Sequence, residues 1–349
     1  MVAFGYAMSS EEHAPNDLVR NAQRAEAAGF TFGLISDHFH PWVDKQGHSP
    51  FVWSVLGAIA NATTRLRIGT GVTCPTIRIH PAIIAQATAT TAAMMPGRFF
   101  LGVGTGENLN EHILGHRWPP YDTRAAMLEE AIEVMRLLWK GGSQTHRGTF
   151  YTVENARLYT LPEATPEIYI AASGENSAEL AGRLGDGLIN TAPQKEVIDT
   201  FQKSGGGKKP RVGQITVCWA NDEAMAKRTA LEWWPNAALQ GELSQELPLP
   251  AHFEQATKNA TEEDVAKQVV CGPEAEKHIA MIKQYLDAGY DHMYFHQVGP
   301  DQEGFFRFYE REILSHFQSS TQVGASKQQS SLGVLLPGGD DMEGLPPTP

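Results

Sequence analysis

The sequence predicts an α/β protein folded as a (β/α)8 TIM barrel, and three observations support this prediction. Short apolar runs alternate with amphipathic segments four times in the first 140 residues, which is the pattern of parallel β-α-β units. One such unit occupies about 30 residues, the usual pace of a barrel. The chain has 349 residues and 42% hydrophobic content, enough for one large core. We therefore expect residues 1–317 to form a single barrel domain.

The first half of the chain supplies four predicted strands, each followed by a helix. Pro15 suits the first turn of a helix, whereas Pro96 and Gly97 end one. Strands are expected at Phe4–Ala7, Phe32–Ile35, Leu66–Val72 and Phe99–Val103, and helices at Pro15–Ala28, Val52–Ala62, Pro81–Met95 and Thr123–Trp139.

The second half is less regular and carries two predicted insertions. Residues 145–160 alternate apolar and polar side chains, which favours a hairpin, and residues 240–265 fit no element. Residues 205–209 are expected to be a flexible connector, and residues 318–349, rich in Ser, Gln, Gly and Pro, a disordered tail. Strands are expected at Ile168–Ala172, Gly187–Asn190, Val212–Trp219 and Met293–His296, and helices up to Leu184 and at Asp222–Trp234, Ala275–Ala288 and Gly304–Phe317.

Composition excludes several classes of protein. The net charge is −12 and no run is rich in Lys or Arg, so a nucleic-acid partner is not expected. No stretch reaches the ~18 apolar residues of a membrane span, and the N-terminus has no signal-peptide pattern. Cys74, Cys218 and Cys271 are far apart, which argues against disulfides and zinc and favours a cytoplasmic protein.

The densest group of chemically active residues is Ser36–Trp42, directly after the second predicted strand. Asp37, His38, His40 and Trp42 stand where side chains converge on the active cleft of a barrel. The alternative is a polar turn whose Trp covers the core, but ordinary turns use Gly, Asn or Ser instead. No third ligand accompanies the two histidines, so a metal site is not expected. His13, His48, His80 and His296 are left unassigned, and each is expected to be a surface histidine or a hydrogen-bonded structural histidine.

Two further loops follow predicted strands. Glu107 comes after Gly104-Thr105-Gly106, whose glycines let the backbone approach a ligand closely. Leu109 replaces the third glycine of a dinucleotide fingerprint, so nicotinamide binding through that motif is not supported. Residues 171–174 end a strand just before a helix, which fits either a phosphate site or a plain turn.

Three segments together resemble one family. Residues 37–42, residues 69–75, and residues 102–107 continuing through Asn110-Glu111 look like the luciferase-like oxidoreductases that use the deazaflavin coenzyme F420. The likeness runs from about Phe4 to about Phe317. It is greatest to the F420-dependent glucose-6-phosphate dehydrogenase-like group, which includes secondary-alcohol dehydrogenases. It implies a bacterial-luciferase-like barrel with F420 across the C-terminal strand ends.

The resemblance also implies roles for single residues. His38 would be the general base that takes the hydroxyl proton of the substrate. Trp42 would pack near the reaction site and stabilise the oxidation transition state, and Glu107 would be an acid near the deazaflavin or the substrate. The Gly71–Val72 peptide would be cis. The coenzyme would be held by Asp37, Gly71, Val72, Cys74, Thr105, Asn110, Ala172, Ser173 and Gly174. The substrate would be held by Glu11, Thr191, Gln194 and Gln255.

The implied function is an F420-dependent dehydrogenase that takes hydride from the carbon of an alcohol or sugar hydroxyl, acts on a small molecule and forms a homodimer. Gln194 and Gln255 stand where the sugar-phosphate enzymes are expected to carry Lys, which favours an uncharged substrate. The alternatives are an F420-dependent glucose-6-phosphate dehydrogenase and an FMN-dependent monooxygenase of the same superfamily. A non-catalytic deazaflavin-binding protein is a third reading.

Overall fold

Eight parallel strands close into a barrel, which confirms the predicted fold class. The computed structural model describes residues 2–239 and 241–317. The barrel strands, in their order around the barrel, are β1 (Ala3–Met8), β2 (Phe32–Ile35), β3 (Arg67–Thr70), β4 (Phe99–Val103), β7 (Glu167–Ala171), β8 (Gly187–Asn190), β9 (Arg211–Cys218) and β11 (His292–Gln297). The first strand pairs with the last, Tyr6 opposite Phe295, and this pairing closes the barrel.

Helices separate most successive barrel strands and pack on the outside. The long ones are α1 (Pro15–Ala28), α2 (Val52–Ala62), α3 (Pro81–Met94), α5 (Tyr121–Trp139), α6 (Glu175–Leu184), α8 (Glu223–Trp233) and α12 (Ala275–Ala288). The short ones are α4 (Asn108–Glu111), α7 (Lys195–Phe201), α9 (Leu243–Glu246), α10 (Pro250–Ala256), α11 (Glu262–Ala266) and α13 (Gln302–Phe308). No helix in residues 2–239 and 241–317 is long and apolar enough to span a membrane.

Two apolar layers stabilise the barrel. The larger lies between the strands and the surrounding helices. The smaller fills the barrel interior with alternate strand residues, among them Phe32, Leu34 and Tyr294. Gly69 leaves room for the Phe100 ring, because a Cβ at Gly69 would stand 2.2 Å from it. The lower interior is therefore a packed core, and chemistry is confined to the C-terminal strand ends.

A two-stranded antiparallel sheet stands outside the barrel. It consists of β5 (Gln144–Arg147) and β6 (Thr152–Ala156). The Glu130 carboxylate on α5 accepts hydrogen bonds from the backbone N–H groups of residues 149–151 at 2.8 to 3.2 Å. It also lies 3.1 Å from His146 Nε2. One side chain therefore fixes the turn of this sheet to the barrel.

Several predicted boundaries were wrong. Helix α5 begins at Tyr121 rather than Thr123, because Pro120 is its N-cap. A π-helical turn at residues 202–206 borders the predicted connector, but Gly205 within it has a left-handed backbone (φ 108°), so the prediction of a connector at residues 205–209 stays a prediction. The last predicted helix begins at Gln302 and contains a second π-helical turn at residues 309–314. The sequence also missed β10 (Val270–Cys271), which pairs with β9 outside the barrel.

The segment that fitted no element contains the three short helices α9, α10 and α11. Their boundaries are marked by prolines and polar caps, such as Pro250 at the start of α10 and Thr261 before α11. The tail predicted for residues 318–349 lies outside the described residues. The assignment of residues 1–317 to one domain stays a prediction.

Candidate active site

The loops after β1 and β2 bring a carboxylate and an imidazole together. Glu11 follows β1 and His38 follows β2, and Glu11 Oε1 lies 3.2 Å from His38 Nδ1. Both side chains are nearly buried, with exposed fractions of 3% and 9%. Among the described residues, His38 Nδ1 has no aligned hydrogen-bond partner. Glu11 is therefore close enough to stabilise a protonated imidazole by charge.

Local hydrogen bonds keep Glu11 ionised. Its Oε2 accepts bonds from the hydroxyls of Ser36 at 2.6 Å and Ser9 at 3.0 Å. Burial alone would raise the pKa of Glu11, but the charge of His38 and these hydroxyls outweigh burial, so the pKa lies below its usual value. The pair thus places an ionised carboxylate beside an imidazole, the side chain that most often acts as a general base.

An aromatic wall covers His38 on one side. The Trp42 ring meets the His38 ring edge to face, with ring centroids 5.0 Å apart. Trp42 in turn packs against Phe253 of α10 at 5.2 Å. Phe253, Val43 and Leu109 form a small buried cluster beneath it. The indole is therefore held beside the imidazole by apolar packing.

Asp37 points into a polar network rather than towards His38. Its Oδ2 accepts a bond from the Thr73 hydroxyl at 2.8 Å, and its Oδ1 accepts one from Arg78 Nη2 at 2.9 Å. Asn110 fixes the loop after Asp37, because its Oδ1 accepts the backbone N–H groups of Phe39 and His40 at 2.9 and 3.2 Å.

The loops after β3 and β4 form the neighbouring wall. The Gly71–Val72 peptide is cis, the geometry that the resemblance implied. Val72 packs so closely on Gly104 that a Cβ there would stand 2.8 Å from it. Glu107 and Thr105 are partly exposed at the end of this wall. Cys74 is buried instead, with its Sγ 2.9 Å from the Thr76 hydroxyl, and burial raises its pKa.

The loop after β7 carries Ser173 and Gly174, both exposed at the start of α6. Their backbone N–H groups each point to the Ser177 hydroxyl at 3.2 Å. No atom stands within 4 Å of a Cβ built on Gly174, so the space in front of it is open. Ala172 is buried in the sheet, where its N–H donates to Ile189.

The four candidate substrate residues do not all lie together. Glu11 lies in the His38 pair. Gln194 is partly exposed and its Oε1 accepts a bond from Asn190 Nδ2 at 3.0 Å. Thr191 and Gln255 are exposed, and no hydrogen bond between described residues joins either one to the Glu11–His38 pair. Lys195, the cation next to Gln194, forms an ion pair with Asp199 at 2.6 Å.

Sequence reasoning missed two buried polar clusters at this end of the barrel. Arg78 joins Asp37 to Glu111, although Arg78 lies in an irregular loop that no motif marks. Glu12 Oε2 lies 2.7 Å from His296 Nε2, and Glu12 Oε1 accepts the N–H of Gly299 at 2.9 Å. His296 is thus buried beside Glu12, and the neighbouring glutamates Glu11 and Glu12 each contact a different histidine.

The chain is similar to a known protein family, to its relatives and to solved structures. The model of the luciferase-like monooxygenase family matches residues 2–292. An F420-dependent glucose-6-phosphate dehydrogenase of Mycolicibacterium gilvum is 37% identical, over 88% of this chain and 96% of that protein. F420-dependent glucose-6-phosphate dehydrogenase 1 of Rhodococcus jostii is 36% identical, over 90% and 97%. A solved F420-dependent secondary alcohol dehydrogenase, in complex with an F420-acetone adduct, has a TM-score of 0.83 and 30% identity, over 89% and 98%.

Proposed function

Because the chain belongs to the luciferase-like monooxygenase family, and its similar relatives are F420-dependent dehydrogenases, we propose that it is an F420-dependent dehydrogenase acting on a CH–OH group. The observation that carries this proposal is the Glu11–His38 pair at the C-terminal strand ends. A hydroxyl carbon releases hydride more readily as its hydroxyl loses a proton, and an imidazole beside a carboxylate accepts that proton.

The residues at the strand ends fit a deazaflavin coenzyme. We assign the ring of the coenzyme to the wall formed by residues 71–72 and Gly104, where Val72 packs on Gly104, with the partly exposed Glu107 in the same loop as Gly104. The open start of α6 at Gly174 is assigned to a phosphate of the coenzyme, because the positive end of the helix dipole favours anions there. We assign coenzyme binding to these groups together with Asp37. F420 supplies the hydride-accepting ring when it is bound.

The remaining roles in the reaction are assigned to residues of this chain. His38 takes the hydroxyl proton at Nε2, because Nδ1 faces Glu11. Trp42 restricts the space beside His38 and keeps water away from it. Glu107 is assigned as the acid, and Asn110 Nδ2 lies 3.3 Å from its Oε2.

The substrate is proposed to be an uncharged alcohol or sugar. A buried phosphate monoester needs Lys or Arg partners, and their loss is costly. At the position where Lys is expected the chain has Gln194, and the adjacent Lys195 forms an ion pair with Asp199 at the surface. Arg78 is likewise committed to Asp37. Glutamine can still donate hydrogen bonds to neutral hydroxyls.

A substrate panel followed through loss of F420 absorbance tests this proposal. We expect a secondary alcohol or glucose to give a higher kcat/KM than glucose 6-phosphate. A preference for glucose 6-phosphate of about tenfold or more, ~1.4 kcal/mol, would contradict it. Gln194→Lys should raise kcat/KM for glucose 6-phosphate relative to glucose. The exposed Gln284→Lys on α12 adds the same charge elsewhere and should leave that ratio unchanged.

The coenzyme is tested separately by titrating the protein with F420 and with FMN and following fluorescence. Tighter binding of FMN would favour the monooxygenase alternative. Binding of F420 without turnover of any alcohol would favour a deazaflavin-binding protein.

We also propose a homodimer located in the cytoplasm. Exposed apolar side chains such as Phe39, Phe51 and Leu114 are candidates for a subunit interface. Cys74, Cys218 and Cys271 are free thiols, which suits a reducing compartment. Light scattering on the purified protein measures the oligomeric state, and a monomer at micromolar concentration would contradict the proposed homodimer.

A further inference from the structure

Helix α10 supplies the outer ring in a row of three rings at His38. The His38 and Trp42 ring centroids lie 5.0 Å apart at an interplanar angle of 60°, and those of Trp42 and Phe253 lie 5.2 Å apart at 75°. Both contacts are edge to face, a geometry that aromatic pairs favour at about 4.5–7 Å. Phe253 is 0% exposed. The indole of Trp42 is therefore confined between the imidazole and a fully buried phenyl ring.

The backbone of Trp42 is held by a different residue. Gln46 is buried, and its Oε1 accepts the N–H of Trp42 at 2.8 Å and that of Val43 at 3.4 Å. Gln46 Nε2 donates to the carbonyl oxygen of Trp233 at 2.9 Å. These bonds fix the chain at Trp42 but do not fix the side-chain torsions of the indole. Gln46 thus holds the backbone, and Phe253 limits the position of the ring.

Phe253 belongs to a small apolar cluster that is separate from the two apolar layers of the barrel. The buried members of this cluster are Val43, Leu109 and Phe253. Helix α10 also contacts the loop after β2 through Glu254, whose Oε1 accepts the N–H of Asp44 at 3.1 Å. A change of volume at Phe253 should therefore disturb this loop rather than the barrel core.

A smaller side chain at position 253 would open space on the far side of the indole. A core side chain that is shortened leaves a cavity, and the neighbouring side chains relax into part of it. The Trp42 ring borders this cavity directly. If the ring moves towards α10 it moves away from His38, and the space beside the imidazole becomes larger. The size of Phe253 therefore controls the width of the site at the proposed base.

We propose that Phe253 determines which alcohols fit this site, because it holds the Trp42 ring at a distance from His38 that admits short substituents on the hydroxyl carbon and excludes long ones. Phe253 acts through Trp42 and is a positioning residue. This role rests on the proposed function, since it concerns the substrate of the same site. One methylene group in an apolar pocket changes kcat/KM by about 10–200-fold, so even a small movement of the ring is measurable.

The first test needs no coenzyme. Crystal structures of the coenzyme-free wild type and of Phe253→Leu measure the separation of the His38 and Trp42 rings. We expect this separation to exceed 5.0 Å in the variant. Phe201→Leu removes the same atoms from an equally buried phenylalanine on α7 and should leave the separation unchanged. If Phe253→Leu does not fold, Phe253→Met, which also lacks the ring, takes its place.

The second test compares kcat/KM for 2-propanol and for the longer secondary alcohol 4-heptanol at saturating F420. We expect Phe253→Leu to raise the ratio of 4-heptanol to 2-propanol by about tenfold, chiefly through KM, because the reacting groups are unchanged. Phe253→Ala leaves a larger cavity and should raise the ratio further. Phe201→Leu should leave the ratio unchanged. Equal losses of kcat/KM for both alcohols indicate a purely structural role of Phe253 and overturn the proposal.

Failure of this role is distinguishable from failure of the proposed function. An unchanged ring separation in Phe253→Leu overturns the role of Phe253 and, because F420 is absent from that measurement, leaves the dehydrogenase assignment intact. If neither alcohol is turned over, the dehydrogenase assignment fails, and the ring separation still decides whether Phe253 positions Trp42.

Discussion

Replacing Arg78 by Met should cost far more stability than any surface ion pair. Arg78 is 6% exposed and pairs with two carboxyl groups that are each 1% exposed. Methionine has a similar length but no charge, so Asp37 loses a buried cationic partner. Removing one member of a buried pair typically costs about 3–5 kcal/mol, because an uncompensated charge stays behind. We expect a loss of that size in the free energy of unfolding at pH 8.

The loss of stability caused by Arg78→Met should become smaller as the pH falls. The pKa of Glu111 is raised to about 7, so at pH 8 Glu111 is ionised and loses its cation in the variant, whereas at pH 5.5 it already carries a proton. At pH 5.5 only Asp37 loses a charged partner. The loss in the free energy of unfolding caused by Arg78→Met should therefore be smaller than at pH 8 by about 1 kcal/mol or more.

Urea unfolding at both pH values measures the effect through the transition midpoint at constant slope. The matched control is Arg183→Met, whose ion pair with Glu129 is 54% and 35% exposed and should contribute only about 0–1 kcal/mol. Equal losses for the two variants, or a loss for Arg78→Met that does not depend on pH, would refute the reasoning.

Three further outcomes are expected. His38→Ala should reduce turnover by about 10²–10⁴-fold while F420 binding, followed by fluorescence, survives; near-normal turnover would show that another group is the base. Glu11→Gln should lower stability most at neutral pH: the pKa of Glu11 is held low in the fold, so its ionised form stabilises the protein above the ordinary glutamate value and this gain is lost on acidification. Urea titrations at pH 7 and pH 4 measure the free energy of unfolding of Glu11→Gln, and an equal loss at both pH values contradicts this prediction. Glu130→Gln should lose about 2–4 kcal/mol in thermal unfolding through weakened bonds to the hairpin turn, whereas Glu133→Gln, exposed on the same helix, should lose almost nothing.

The sequence was informative where a local pattern carried the signal. Residues 32–35 form an apolar run that ends at an acid and two histidines, so both the strand and its chemistry could be predicted. Helices such as α1, with Pro15 at its start and Gly29 at its end, were also predicted with correct bounds. Local patterns fix these features because the deciding residues lie within one turn or one strand.

The features that could not be predicted depend on contacts between residues that are far apart in the sequence. Arg78 reaches Asp37 from 41 residues away, and its own loop has no regular pattern. Glu12 and His296 are 284 residues apart, so only the closed barrel brings them together. The two-residue strand β10 is too short for any periodicity. Tertiary packing, rather than local propensity, decided each of these.

Closure of the barrel has a consequence for synthesis of the protein. Strand β1 emerges first from the ribosome, but its partner β11 is made almost 300 residues later. Until then β1 and the other free edge of the growing sheet have unpaired backbone groups, which can pair with other chains. The Glu12–His296 contact forms at the same late moment. The barrel is therefore closed only after β11 has been translated, and a message that ends before β11 yields an open sheet.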